Sequence, residues 1–483
     1  MRPKGTPPSG RRAGLFFGLG VLSFSSLLYA QIPQRPTIPT PAVNGQPPQT
    51  PAPASTSPAS TTPQPTTAQP ASTPTAPAES LAKFHLAGYL SAVALGNLEI
   101  VAQRANVSLA TAQIEVARVF PDPQLTAGLY QYDVTQRANP TASVVALNVP
   151  LQIGGQRGAR VDLANAELSA AQSDLEDFLR VLRANAAGAY VDAIHAQLVL
   201  DRREQTAQDL EKLVAVNEQR FRVGDIGESL LLQSRVEARQ SRADVLNAQG
   251  GVSEATFAVY GLLGAGARNW MGRSVEFEGD LKTMADRSFD AKSLVDKAIA
   301  LRPDLRAAKR RVNAAERQID LAKANRVIDV GVGASWQHNF AVNDTTSPLP
   351  SSDFLGLTAT VPLPFSRLYH GELNVAYATQ SQNVAIEKSA EVRVEAEVRS
   401  AIARYQAAAA RVQLYTGGVL ADADKVLEKT LYNYTRGGAT LVEVLVAQHT
   451  DNDVYLAYYD ALSDVSHALV SLEEAIGIWD VDL

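Results

Sequence analysis

The side chains best able to do chemistry are not arranged for catalysis or tight metal binding. Six histidines are present and no two lie within four residues of each other, so a helical His pair for zinc is ruled out. Cysteine is absent, which excludes disulfides and thiolate metal sites. There is no Gly-x-x-x-x-Gly-Lys-Ser/Thr loop to cradle phosphate, so the chain does not spend ATP itself. There is also no His-Glu-x-x-His and no Gly-x-Ser-x-Gly. Scattered Ser, His and Asp residues do not assemble into a triad. The expectation is a protein without catalytic, metal or cofactor sites, whose work is done by surfaces. A formal charge of −6 argues against a basic nucleic-acid-binding surface. Beyond the N-terminus no run of 18 apolar residues occurs, so a polytopic helical membrane protein is not expected.

The N-terminal segment reads as an address label. Arg2, Lys4, Arg11 and Arg12 precede an apolar run from Ala13 to Leu28, and Ala30 offers a cleavage point. This is the pattern of a secretory signal peptide over 1–30, cleaved near Ala30, although a retained membrane anchor has the same look. With no Cys after the apolar run, a lipid anchor is excluded. Removing these cations leaves the mature chain at about −10. Residues 31–80 follow, with 14 of the chain's 26 prolines among Thr, Ser, Ala and Gln. Such a stretch buries too little apolar surface to offset its ordering entropy, and reads as a disordered, passive tether.

The remainder is written twice. Asn97-Leu98-Glu99-Ile100 matches Arg302-Pro303-Asp304-Leu305 at an offset of 205. Val149-Pro150-Leu151 matches Val361-Pro362-Leu363 at 212, and Arg220-Phe221-Arg222-Val223-Gly224 matches Asn433-Tyr434-Thr435-Arg436-Gly437 at 213. The drift in offset is what a longer loop at 339–352 would produce. Copy one spans 81–263: a short helix, a strand pair at 123–152, a long helix at 156–220 and a return helix at 227–262. A connector covers 264–290. Copy two spans 291–483, with a strand pair at 327–364, a long helix at 370–433 and a return helix at 440–476. Each long helix has about 65 residues, or roughly 95–100 Å. Both carry heptads, through Val161, Leu168, Leu175, Leu182, Ala189 and Ala196, and through Val398, Tyr405, Val412, Val419 and Val426. A seven-residue apolar repeat requires partner helices.

The four strand candidates alternate with a period of two. Leu125, Ala127 and Leu129 share one face, as do Val145, Leu147, Val149 and Leu151. The same holds for Val330, Val332, Ala334 and Trp336, and for Leu355, Leu357, Ala359, Val361 and Leu363. The intervening positions are small or polar. Each run has about ten residues and almost no charge, which is the pattern of a transmembrane barrel strand. On that reading Leu147, Val149, Val330, Trp336, Leu355 and Leu357 face lipid. Four strands cannot close a barrel, and an open sheet in lipid would leave two edges of unpaired backbone. Two chains supply eight strands, whose interior fills with side chains, whereas three supply twelve and leave a lumen. A trimer is the smallest arrangement that both closes and conducts.

Several stretches carry a resemblance. They are Arg302-Pro303-Asp304-Leu305-Arg306-Ala307-Ala308, the run from Val149-Pro150-Leu151 through Gly154-Gly155-Gln156-Arg157-Gly158-Ala159-Arg160, the run from Val361-Pro362-Leu363-Pro364-Phe365 through Gly371-Glu372, and the two glycine turns. Over about residues 85–477 the chain resembles the TolC-like outer membrane efflux proteins. The glycine-rich run after Val149-Pro150 is most similar to the outer membrane subunits of heavy-metal (cobalt–zinc–cadmium type) efflux systems. The resemblance implies a mixed α and β, mostly α fold: a homotrimer with a twelve-stranded transmembrane β-barrel, continued by a long periplasmic α-helical barrel. It implies partners in a periplasmic adaptor (membrane fusion) protein and a proton-driven inner-membrane pump of the RND type. It also implies that the helical turns form the periplasmic mouth and dock the adaptor, through Arg222, Val223 and Gly224 and through Arg436, Gly437 and Gly438. Acidic residues ring the mouth in relatives. Glu443 matches one such position, Val446 stands where a second acid is expected, and Asp225 and Glu228 are further gate candidates.

The expected function is therefore a passive exit duct across periplasm and outer membrane, with heavy-metal cations as cargo. Drug efflux and type I secretion are alternatives within that class. A secreted coiled-coil rod is the alternative of another class, but it gives no reason for two matched strand pairs.

Overall fold

The computed structural model describes residues 82–131, 141–271, 275–285, 287–341, 348, 350–363, 365 and 370–479. The leader, the proline-rich tether with its expected cleavage point, and the tips of both strand-pair loops lie outside the described residues.

Period-two runs form strands and period-seven runs form helices, in the same order in each copy. In the first, α2 (Leu98–Arg118) leads into β2 (Gln124–Gln131) and β3 (Thr141–Leu151). Then come α3 (Gln156–Arg222), 67 residues long, and α4 (Glu228–Leu263). In the second, α6 (Pro303–Ala324) leads into β5 (Val330–Asn339) and β6 (Ser352–Thr360). These are followed by α7 (Gly371–Leu414), α8 (Leu420–Thr435) and α9 (Leu441–Ile476). At 1.5 Å per residue α3 is about 100 Å long. The helices start where their sequences provide partners for free amides. Asn97 caps α2 through its side-chain oxygen, Pro303 occupies the first turn of α6, and Thr440 caps α9.

Two features go beyond the sequence-based expectation. The stretch before α2 holds a short strand, β1 (Ala82–His85), and a helix, α1 (Leu86–Gly96). β1 pairs in parallel with β4 (Val275–Glu278), which lies inside the connector. The connector leads on to α5 (Ala291–Leu301), capped by Asp290. Buried tyrosines fasten the connector to the long helices. The Tyr190 hydroxyl donates to the Glu278 carbonyl at 2.7 Å, and Tyr405 donates to the Met284 carbonyl at 2.6 Å. Burial pushes the Tyr190 phenol up to about 12, so it stays a neutral donor at any physiological pH.

The second long helix is also not continuous. Residues Tyr415–Val419 form a π-turn between α7 and α8, with Gly418 at φ 154°. A π-turn inserts about one residue into the helical phase. The heptad stripe Val398, Tyr405, Val412 is accordingly buried, while Val419 and Val426 are turned outward. Ala423 and Tyr434 are buried below the break instead.

Candidate functional site

The four long strands form one antiparallel sheet in the order β2-β3-β5-β6. The two copies are thus joined at β3–β5, and β2 and β6 are left as edges. The register aligns all four apolar faces. Leu125, Leu147, Ala334 and Leu357 lie in one row, and Ala127, Val145, Trp336 and Leu355 in the next. Val149, Val332 and Ala359 make a third row, and Leu151 and Val330 a fourth. Every residue expected to face lipid therefore lies on the same side of the sheet. The exposure of Leu355 and Leu357, 83% and 87%, leaves that side uncovered within a single chain. A one-residue slip in any strand would have broken the pattern.

The opposite side is chemically different. Two of its rows, towards the helices, are Gln124, Asn148, Gly333, Thr358 and Thr126, Ala146, Ser335, Gly356. Among the described strand residues this side carries no charge. Small side chains here leave the wall thin and wettable. That is the dyad contrast of a lipid-facing exterior against an aqueous lumen.

A glycine elbow turns the chain out of the sheet into α3. Gly155 sits at φ 73°, and a Cβ on Gly154 would stand 2.3 Å from that of Val327. Only glycine lets β3 exit so close to the end of α6. Gln156 then locks the elbow, its amide donating to Asp329 at 2.7 Å while its carbonyl oxygen accepts from the Gly154 amide at 3.1 Å. Arg157 donates to the Arg118 carbonyl at 2.6 Å and lies over the Phe120 ring. The run that carried the resemblance is thus the joint between sheet and helix.

At the other end, the two helical turns lie together. Gly224 and Gly437 adopt φ 77° and 76°, which allows each reversal. Tyr434 is buried and donates to Asn217 at 2.6 Å, and the Arg220 guanidinium covers its ring at 4.7 Å. Phe221 is half exposed instead. Arg222, Val223, Arg436, Gly437 and Gly438 are all exposed, with Arg436 lying over Tyr432. The three acids are brought to this end but not to one another. Asp225 pairs with Arg220 at 2.5 Å, and Glu228 stands exposed in the first turn of α4. Glu443 accepts hydrogen bonds from the Thr440 amide at 2.7 Å and hydroxyl at 3.1 Å, completing a capping box at the start of α9. Those two bonds hold its carboxyl below the usual range, so it stays charged.

Sequence reading missed the polar links that bind copy one to copy two. Arg202 on α3 pairs with Asp451 on α9, both buried, and lies over the Tyr455 ring at 4.0 Å. Thr206 donates to Asn452 at 3.1 Å nearby. A second buried cation, Arg302, works within copy two and is 3% exposed. It bonds Asp304 through two nitrogens at 3.0 and 2.7 Å, Glu397 at 2.6 Å and the Ala475 carbonyl at 3.0 Å. Burial alone would raise the Asp304 carboxyl, but the paired Arg302 holds it below its ordinary value. Among the described residues no cluster of three or more His, Asp or Glu side chains could hold a metal ion.

The family model described as Outer membrane efflux protein matches residues 90–265 and 294–478, one stretch in each copy. The Cobalt-zinc-cadmium resistance protein CzcC of Cupriavidus metallidurans is 22% identical over 409 residues, covering 84% of this chain and 92% of CzcC. CusC, solved in a study of folding and transmembrane channel formation, shares the fold with a TM-score of 0.67 at 18% identity, covering 82% of this chain and 92% of its own. The outer membrane protein VceC of Vibrio cholerae does so with a TM-score of 0.64 at 20% identity, over 81% and 96% of the two chains.

Proposed function

The chain belongs to the outer membrane efflux protein family, and from that premise we propose that three copies close into the exit duct of a tripartite efflux system. The protein is an efflux channel of TolC-like fold and not an enzyme. Its open four-stranded sheet is the observation that carries the proposal. One side is apolar in successive rows up to the polar row of Ser143, His338 and Asp353, and both edges, β2 and β6, are unpaired. Such edges cannot stand in lipid, where each unsatisfied backbone group costs several kcal/mol. Pairing β6 of one copy with β2 of the next satisfies them. Three copies give twelve strands and a lumen.

In this reading α3, α4, α7, α8 and α9 continue the barrel into the periplasm. The turns at Gly224 and Gly437 form its far mouth and meet an adaptor. An inner-membrane pump of the RND type supplies the energy, and the duct conducts passively. Glu443, Asp225 and Glu228 place negative charge at the mouth, which favours cations. Heavy-metal cations are the proposed cargo, and the similarity to CzcC over most of both chains supports it. A wide conduit needs no tight metal site.

Removing the gene and restoring it on a plasmid tests the cargo. Cells lacking it should accumulate cobalt, zinc or cadmium and regain tolerance on complementation. Unchanged metal content, with sensitivity only to organic drugs, would exclude metal export. Light scattering of the detergent-solubilised protein tests the assembly, with a three-chain mass expected.

A further inference from the structure

The lumen-facing side of the sheet is not uniform along its length. Near the helices it is lined by Gly331, Gly333, Ala146 and Gly356. Among the described strand residues its only aromatic side chains are Tyr130 and Phe354, both in the last two rows before the loops. They stand on the two edge strands, β2 and β6, and are 52% and 55% exposed in the single chain. Between them the inner strand β5 presents two hydrogen-bonded amides beside Val144 and Ala142 of β3. Gln337 donates to Asn339 at 2.8 Å, and Asn339 donates to Ser352 at 3.4 Å. The Tyr130 ring lies back over Gly128, within 3.1 Å of where a Cβ would stand.

Within one chain the two aromatic residues are three strand spacings apart, about 14 Å. Once edges pair, as the trimer reading requires, β6 of one copy adjoins β2 of the next and the two rings become neighbours at each seam. We propose that Tyr130 of one copy and Phe354 of the adjacent copy build an aromatic constriction at the outer end of the duct, which binds bulky organic cations in transit. The chemistry follows from the lining. Ring faces attract cations that have shed their water, amide oxygens add weak acceptors, and no charged residue stands on this side of the described strands to repel or trap an ion. Small hydrated metal ions keep their water shells and pass. A flat cation with an aromatic surface pauses there. The six rings come from three seams, so the site does not exist in a single chain.

The absence of native cysteine gives a direct test. A double variant, Tyr130→Cys with Phe354→Cys, treated with a short bis-maleimide, should yield covalently linked dimers and trimers on denaturing gels. A link within one chain keeps the mass of a monomer and is not counted as a dimer or trimer. Ethidium is the ligand probe, followed by fluorescence with the detergent-solubilised trimer. Binding should weaken about tenfold in the Tyr130→Ser, Phe354→Ser double variant and persist in Tyr130→Phe. A protein with a three-chain mass that neither cross-links nor loses ethidium binding in the serine variant overturns the constriction and leaves the duct intact. A wild-type protein that remains a single chain overturns the duct, and the constriction with it.

Discussion

Replacing Leu357 with Arg separates a lipid-facing sheet from a water-facing one. On this side four apolar rows and a polar boundary row of Ser143, His338 and Asp353, which ends the band at the loops, together span about 26 Å along the strands. With a tilt near 40° they cover about 20 Å of height, close to the apolar band of such barrels. Leu357 shares the middle row with Leu125, Leu147 and Ala334. An arginine there should cost about 2–4 kcal/mol in each copy, and three copies multiply this to about 6–12 kcal/mol for the assembly. In water the same side chain, 87% exposed, would be replaced at a cost within about 0.5 kcal/mol. Thr358→Arg is the matched control, with the same charge at nearly the same depth on the opposite side. Urea unfolding of protein reconstituted in lipid vesicles reads both variants. Leu357→Arg should fold poorly or not insert, and Thr358→Arg should insert. Equal tolerance of the two, or the reverse order, would refute the assignment of faces.

Glu443→Gln should leave melting unchanged, because glutamine can still reach back to the Thr440 amide. It should lower the preference of the duct for cations in planar bilayers, and unchanged selectivity would remove Glu443 from the gate. Asp304 supplies a pH signature. Its folded value is depressed, so its contribution is complete above about pH 4 and is lost as pH falls through the lower folded value. Asp304→Asn should destabilise by about 1.5–3 kcal/mol at neutral pH and flatten the acid limb of the melting profile. An acid limb identical to that of the wild type would show that the pair with Arg302 does not carry it.

The sheet was legible because alternation fixes both element and face. Leu147, Trp336 and Leu357 could be assigned one by one, and the ladder then placed them together. The order β3 beside β5 was not legible, since nothing in a dyad pattern says which hairpin edges meet. The capping role of Glu443 could have been found from Thr440-x-x-Glu443, a readable helix-start signature. β1 and β4 escaped notice because four residues are too few to show a period. Arg202 and Asp451 gave no signal, because a heptad says which face is covered but not that an ion pair lies beneath it. Gly417-Gly418 was the one visible sign of the π-turn, and the continuing heptad through Val419 and Val426 masked it.

That single inserted residue makes the duplicated halves unequal. In copy one the helix runs unbroken from sheet to turn. In copy two the face steps by about 100° at Tyr415–Val419. In the proposed trimer, a ring of six helical hairpins therefore has three of each kind in alternation. Its symmetry is threefold, not sixfold, and any subunit that caps the ring meets two distinct sockets in turn.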